Sequence, residues 1–336
     1  MTVSRSTFLA SNSHDRTSKL LVVLVLALCL PLIAQLSSAQ KQEILPTEPS
    51  AIVNGGNIAD VGTQTFSTRA REVNVLFSAS NWRDQFVSNL KPSDVRVFDN
   101  GKESLSLTYF LHETDLPLRV ALLIDISGSV EKLFRSQQQA ATLFLQQTLR
   151  PSDSASVMVF AHHMRVVQNF TSSLETLTGA VRRLVPGEDD TAIYDAVNDA
   201  CEKLGGEGDG SIKRRALILI TDGDENSSRL SIDDAIETAL EHEVVVFALN
   251  THPRPQDTDP TLKKLTRSTG GRVLHAYSAS ELKFAFGKVN EQLRNQYLLG
   301  YKPPRWQADH SFHKIRVTTR RFGLRIHCRK GYYAIE

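Results

Sequence analysis

The feature that most constrains the fold is a regular alternation of short apolar segments with amphipathic ones over residues 118–290. The apolar segments are almost free of polar residues, as strands are when both faces of their sheet are buried. The segments between them have helical spacing. Parallel strands need such crossover helices, so the pattern predicts an α/β domain with a doubly wound, mostly parallel sheet. Strands are expected at 120–124, 156–160, 166–170, 216–221, 244–249 and 272–277, and helices near 130–148, 173–185, 191–204, 231–243, 259–268 and 280–295.

Strand-like segments flank this α/β region on both sides. An N-terminal β segment is expected over residues 69–115 and a C-terminal one over residues 296–336. Each is too small to bury a sheet face well alone. We therefore expect the two segments to pair in one β-sandwich, with the α/β domain (118–290) inserted between them.

A turn is expected within the N-terminal β segment. Asn100-Gly101 separates alternating stretches at 94–98 and 105–110. Asn and Gly both tolerate the positive φ of a tight hairpin turn. The sequence therefore predicts that these two stretches form a hairpin.

The N-terminus has the pattern of a secretory signal. Arg16 and Lys19 precede an apolar run, and small residues at 37–39 offer a cleavage site. We expect a cleaved signal peptide over residues 1–39, followed by a linker without periodicity over 40–68. The alternative is a retained membrane anchor, although the run falls short of the ~20 apolar residues that a spanning helix needs. The protein is therefore expected to be exported: secreted, periplasmic or at the cell surface.

The net charge limits which classes of partner are expected. The 336-residue chain has a formal net charge of +2, which gives no argument for nucleic acid or an anionic membrane as partner. Membrane association is expected only if the N-terminal segment is retained as an anchor.

Cys201 and Cys328 occupy apolar positions of a predicted helix and strand, so we expect free, buried cysteines rather than a disulfide.

Oxygen-bearing side chains follow the first strand of the α/β domain at every second position: Asp125, Ser127 and Ser129. A later strand leads directly into Asp222, and Thr191 opens a predicted helix. Ligands of open α/β sheets bind beyond the carboxyl ends of the strands. Carboxylates and hydroxyls are hard donors that suit Mg²⁺, with Mn²⁺ or Ca²⁺ as alternatives. Water would fill most remaining positions and leave one open.

These five residues, in this order, resemble the metal-ion-dependent adhesion site of von Willebrand factor type A domains, whose fold is doubly wound and Rossmann-like. The stretches "LKPSDVRVFDNGK", "STGGRVLHA", "LRNQYLLGYKPP" and "RKGYYA" resemble a group of exported bacterial proteins built around such a domain. The resemblance implies adhesion to a protein ligand. An acidic side chain of that partner would complete the metal's coordination.

The leading interpretation is therefore an exported binding module and not an enzyme. One alternative is a structural scaffold of the cell envelope, in which the metal only stabilises the loops. A metal-dependent hydrolase is disfavoured because the candidate hydroxyls are needed for the ion and no general base is visible.

Several residues near the predicted site have simpler interpretations. Thr191 is also a plausible helix N-cap. Asp224 and Glu225 fit a solvated loop. His162 and His163 fit turn residues, because adjacent side chains on a strand face opposite ways and would not share an ion.

Overall fold

The computed structural model describes residues 72–104, 106–112, 116–187, 190–206, 214–253, 259–304 and 309–334. The expected signal peptide (1–39) and linker (40–68) lie outside these residues. Within the described part of the chain, no helix is long and apolar enough to cross a membrane.

The described residues form fourteen strands and six α-helices. Before the first helix lie β1 (Val73–Ser80), β2 (Val95–Asp99), β3 (Lys102–Glu103), β4 (Leu107–His112) and β5 (Leu118–Asp125). The helices are α1 (Glu131–Thr148), α2 (Leu174–Arg182), α3 (Ile193–Gly205), α4 (Ile232–Glu241), α5 (Asp259–Thr269) and α6 (Ala279–Arg294). The later strands are β6 (Ser154–Phe160), β7 (Met164–Thr171), β8 (Arg214–Thr221), β9 (Val244–Asn250), β10 (Val273–His275), β11 (Tyr297–Tyr301), β12 (Phe312–Thr319), β13 (Arg325–Cys328) and β14 (Gly331–Tyr333).

A six-stranded sheet forms the centre of the α/β region. Its order is β10-β9-β8-β5-β6-β7, and only β7 is antiparallel to its neighbour. Alternate residues of β5 enter different cores. Leu122 and Ile124 pack with α1, α2 and α6 on one face. Ala121 and Leu123 pack with α3, α4 and α5 on the other. The predicted doubly wound, mostly parallel sheet is confirmed.

The flanking segments pair with each other in two antiparallel sheets, ordered β13-β1-β11-β4 and β14-β12-β2-β3. Strand β1 lies between β11 and β13, and β2 pairs with β12. One apolar core joins the two sheets, and it contains Phe77 and Val97 from the N-terminal side together with Tyr297 and Ile315 from the C-terminal side. The predicted β-sandwich of N- and C-terminal segments is therefore confirmed.

The predicted hairpin is wrong in one strand. Asn100 and Gly101 do make the turn, with φ values of 46° and 79°. However, across this turn β2 pairs with only the two residues of β3, and the chain then crosses to the other sheet. There β4 pairs with β11, and Phe110 packs 5.4 Å from Tyr297 between ring centroids. Burial of that aromatic pair in the shared core favours the crossing over a longer hairpin.

A buried carboxylate crosslinks the sandwich. Asp99 accepts hydrogen bonds from the hydroxyls of Tyr301 and Tyr332 at 2.7 and 2.9 Å. His313 Nδ1 lies 3.0 Å from its other oxygen. These partners come from β11, β14 and β12, so one side chain of β2 connects both sheets. Cys201 and Cys328 are both free, as expected; Cys201 is buried and Cys328 is half-buried.

The C-terminal strands also pack directly against the α/β region. The backbone N–H of Lys330 donates to the carbonyl of Ser268, which lies in the last turn of α5. Gly270 follows α5 at a φ of 94°, and a Cβ atom there would lie 2.8 Å from the backbone nitrogen of Arg329. The lack of a side chain at residue 270 is thus required by both conformation and contact.

We predict that Gly270→Ala lowers the free energy of unfolding by about 2–4 kcal/mol, from left-handed backbone strain plus overpacking. Gly287→Ala is the matched control, because a Cβ there would meet nothing within 4 Å and the residue lies inside α6. The control should raise stability by about 0.5–1 kcal/mol. Urea denaturation measures both. Equal effects of the two substitutions would contradict the contact.

A buried ion pair holds the end of α6. Asp153 is 2% exposed and accepts from Arg294 at 2.5 Å and from the backbone N–H groups of Leu118 and Arg150. Burial alone would raise the pKa of Asp153, but the ion pair and these hydrogen bonds outweigh it and lower the pKa. Arg214 also donates to the carbonyl of Leu293 at 2.5 Å. The helix is therefore fixed just before the chain enters β11.

We predict that Asp153→Asn lowers the unfolding free energy by about 3–5 kcal/mol at pH 7, because it leaves Arg294 without its counter-charge. A carboxylate with a depressed folded-state pKa stabilises above its unfolded pKa of about 3.9 and loses that contribution as pH falls through the folded value. The difference in unfolding free energy between wild type and Asp153→Asn should therefore disappear below about pH 4. The exposed pair of Asp233 with Lys264 provides the control: Asp233→Asn should cost less than about 1 kcal/mol. A gap that persists at low pH would exclude the ion pair as its source.

Candidate metal site

The predicted site lies where β5 and the neighbouring β8 end. Asp125 is the last residue of β5, and Asp222 directly follows β8. The helices that follow these two strands, α1 and α4, pack on opposite faces of the sheet. A crevice forms at such a switch point, and it is where open α/β sheets bind ligands.

The loop after β5 brings three of the predicted ligands together. The N–H of Ser127 donates to Asp125 Oδ1 at 2.9 Å. The hydroxyl oxygens of Ser127 and Ser129 are 3.0 Å apart. A 3-10 turn over Gly128–Val130 leads directly into α1, which keeps the loop short. Ser127 is buried and Ser129 is exposed, so the cluster opens to solvent on the Ser129 side.

Asp125 is a fully buried carboxylate. Burial raises its pKa to about 6, and the nearby charge of Asp222 adds to that effect. Hydrogen bonds from Ser127 and from the Thr221 hydroxyl, which donates to Oδ2 at 2.7 Å, oppose the rise. A buried charge is expensive unless it is paired, and two neighbouring carboxylates increase the cost.

Asp222 is 5% exposed, yet it has few partners. From the described residues, its Oδ1 accepts only a long hydrogen bond, 3.4 Å from the nitrogen of Asp224. Among the described residues, no ion pair joins Asp222 or Asp125 to a basic side chain. The residues that the structure describes therefore place two nearly buried carboxylates here without a basic side chain to balance them.

Thr191 lies in the polar loop before α3 and is 2% exposed. Its backbone N–H donates to Asn226 Oδ1 at 2.9 Å, and its carbonyl accepts from the N–H of Asn226 at 3.1 Å. Within the described residues no hydrogen bond engages the Thr191 hydroxyl. Thr191 is thus tied to the loop that carries Asp222, while no direct hydrogen bond joins it to the other four predicted ligands in the described structure.

The alternative role of Thr191 as a helix N-cap is wrong. The cap position of α3 is Ala192, which has no side chain that accepts a hydrogen bond. Glu225 caps the helix instead. The N–H of Ile193 donates to Glu225 Oε2 at 2.6 Å, although the two residues are 32 positions apart. Ser228 adds a second bond, its hydroxyl accepting from the N–H of Tyr194 at 2.9 Å.

Glu225 is therefore not the solvated loop charge that the sequence favoured. Besides Ile193 it accepts from the N–H groups of Ser227 and Ser228 and from the Ser228 hydroxyl. Asp224 fits the simpler interpretation better, since its side chain is 56% exposed. No spacing rule finds Glu225, because the helix that it caps precedes it by many residues.

Two histidine–aspartate pairs lie around the site. His162 Nδ1 is 3.4 Å from Asp190, and His252 Nε2 is 3.7 Å from Asp224. The rings of His162 and His163 pack at 4.3 Å in the turn between β6 and β7, as expected for turn residues. Gly223, Asp224 and Asn226 also line a cavity of about 360 Å³ beside the site.

The donor set fits a hard divalent cation. In the described part of the chain, no three His, Cys, Asp or Glu side chains form a metal-binding group. A site built from two carboxylates needs its remaining donors from hydroxyls and water, which suits Mg²⁺ better than a transition metal. The uncommitted hydroxyl of Thr191 and the unbalanced carboxylates Asp125 and Asp222 satisfy that requirement.

The family model of the von Willebrand factor type A domain matches residues 120–292. Solved structures with similar folds include the conserved hypothetical protein BatB from Bacteroides thetaiotaomicron, with 18% identity, a TM-score of 0.43, and coverage of 53% of this chain and 100% of that one. An aerotolerance-related membrane protein from Bacteroides fragilis has 15% identity, a TM-score of 0.43, and coverage of 52% and 98%. A von Willebrand factor type A protein from Catenulispora acidiphila has 14% identity, a TM-score of 0.46, and coverage of 80% and 75%. No curated protein matches the chain.

The fold and the family match define the class: a doubly wound α/β domain flanked by a β-sandwich. The chain belongs to the von Willebrand factor type A domain family. Domains of this family generally mediate protein–protein interactions.

Proposed function

We propose that this protein is an exported, divalent-metal-dependent binding module that recognises an acidic side chain of a protein partner. One observation carries the proposal: Asp125 and Asp222 are nearly buried at adjacent strand ends, and no basic side chain of the described residues pairs with them. A bound cation would remove that imbalance.

Five residues would hold the cation: Asp125, Ser127, Ser129, Thr191 and Asp222. The cation, Mg²⁺ or alternatively Mn²⁺ or Ca²⁺, supplies a positive centre that a partner's carboxylate can complete. Ser129 is exposed, which gives a partner access from that side. The N-terminus of α1 begins two residues later and favours an additional negative charge there.

The location of the protein is part of the proposal. The N-terminal signal pattern supports export, whether the protein is secreted, periplasmic or held at the cell surface. The near-neutral charge supports a protein ligand rather than nucleic acid. We propose no enzymatic activity, since every hydroxyl of the cluster has a place in holding the ion.

We predict that Mg²⁺ or Mn²⁺ stabilises the protein against thermal unfolding. The gain in unfolding free energy should be about 2.7 kcal/mol when the free ion concentration is a hundred times Kd. Asp222→Asn should abolish this stabilisation without lowering stability in chelator, because it removes a like charge beside Asp125. Asp224→Asn is the matched control and should keep the metal response, because that neighbouring carboxylate is exposed. A wild-type protein that responds to neither ion, or an Asp222→Asn variant that responds fully, would refute the site.

Partner binding is tested by capture from envelope extract. The bait is the mature chain, residues 40–336, which is the product expected after cleavage of the signal peptide. A partner should be retained in Mg²⁺ and released by chelator, and Asp222→Asn should fail to retain it. Amidation of carboxylates in the extract should also abolish capture, because the partner's acidic group completes the metal shell. Capture that survives both chelator and amidation would instead favour the structural scaffold of the envelope.

A further inference from the structure

We infer that Asn226 and Glu225 are positioning residues of the metal site, which hold Thr191 beside the Asp222 loop so that its hydroxyl and the Asp222 carboxylate are presented together. The inference rests on the proposed function and deepens it, because it assigns the control of metal affinity to residues that do not bind the ion. The loop concerned is residues 222–230.

Asn226 holds Thr191 on both sides of its backbone. The Asn226 side chain accepts from the N–H of Thr191 at 2.9 Å. The N–H groups of Asn226 and Ser227 both donate to the carbonyl of Thr191, at 3.1 and 3.3 Å. Since both backbone polar groups of Thr191 are engaged, its hydroxyl is presented from a fixed main chain and remains available.

Glu225 fixes the segment that follows. Its carboxylate accepts from the N–H of Ile193 at 2.6 Å and from Ser227 and Ser228 of its own loop at 3.1 and 2.8 Å. These bonds join the first turn of α3 to the loop, two residues after Thr191. Asn226 thus holds Thr191 itself, and Glu225 holds the start of α3 two residues later, so this short segment is hydrogen-bonded to the loop at both points.

The hydrogen bonds of Asn226 connect two proposed ligands that are far apart in the sequence. Asp222 and Thr191 are 31 residues apart, but Asn226 is only four residues from Asp222. Hydrogen bonds that orient ligands from outside the coordination shell typically change metal affinity by about 10–100-fold when removed. Asn226 sets the relation between one carboxylate and one hydroxyl in this way.

A second anchor of the same loop, from α3, provides a control. Asp195 of α3 accepts from the N–H groups of Arg229 and Leu230, at 3.1 and 2.9 Å. It anchors the far end of the loop with comparable hydrogen bonds, and none of its described hydrogen bonds involves Thr191. Loss of this anchor tests general loosening of the loop, whereas loss of Asn226 tests the position of Thr191.

The experiment titrates Mn²⁺ alone into the mature chain by isothermal calorimetry, with the melting temperature of each variant measured in chelator. Asn226→Ala should weaken Mn²⁺ binding by about 10–100-fold. Asn226→Asp retains the oxygen acceptor for Thr191 and should bind no more than about threefold more weakly than wild type, well below the roughly 10–100-fold loss expected when orientation is lost. Asp195→Ala, which removes both acceptor oxygens of this anchor, should leave Mn²⁺ affinity unchanged even where its melting temperature falls.

A double-mutant cycle with Thr191→Ala separates positioning from general destabilisation. If Asn226 acts through Thr191, Asn226→Ala should weaken binding little further once the Thr191 hydroxyl is gone. Should Asn226→Ala fail to fold, Glu225→Gln provides the second variant, since it loses one acceptor of the same unit and should weaken Mn²⁺ binding in the same Thr191-dependent manner.

The outcomes distinguish this inference from the proposed function. A wild-type chain that does not bind Mn²⁺ removes the proposed function and the inference together. A wild-type chain that binds, with Asn226→Ala binding as tightly, overturns only the inference. Additive losses from Thr191→Ala and Asn226→Ala, or an Asp195→Ala loss equal to that of Asn226→Ala, overturn it as well.

Discussion

The structure depends on burial of the central sheet on both faces. Strand β5 is apolar from Val120 to Ile124 because helices cover both sides, and these residues are at most 1% exposed. Strands buried in this way carry few polar side chains, and the carboxylates of the site lie where the strands end. Asp125 and Asp222 occupy these ends on adjacent strands. The position of the candidate site is thus a consequence of packing, and its two carboxylates stay largely buried because the same layers extend around them.

The sandwich solves a similar problem with a different polar group. Neither flanking segment has enough strands to bury a face, so the chain returns after α6 to complete the sheets begun before β5. Asp99 then places a charge between the sheets, where it is satisfied by two tyrosine hydroxyls and His313. Buried polar groups of this kind are costly unless fully bonded, which favours one pairing of the strands over slipped alternatives.

The hydrophobic periodicity of the sequence and the order of its apolar and amphipathic segments predicted most of the fold. The apolar strands and the five oxygen-bearing residues could be placed because a strand end and its following loop are local features. The hairpin strand at 105–110 was misplaced because its partner, β11, lies almost 200 residues later. The role of Glu225 was missed for the same reason, since the cap of α3 comes from a distant loop. Local pattern identifies a turn or a carboxylate, but tertiary packing decides what each one bonds.

The candidate site consists of two parts with different support. The loop after β5 holds Asp125, Ser127 and Ser129 through its own short hydrogen bonds and through α1. Thr191 is hydrogen-bonded to the 222–230 loop, which begins with Asp222, and Glu225 of that loop caps α3. The Thr221 hydroxyl links the parts by donating to Asp125, while the neighbouring charges of Asp125 and Asp222 repel each other. A divalent ion shared by both parts would replace that repulsion with attraction, and it would do so across the junction between them. Under the proposed function, the affinity of the site for a cation would depend on how rigidly the surrounding hydrogen bonds hold each part, and not on the ligands alone.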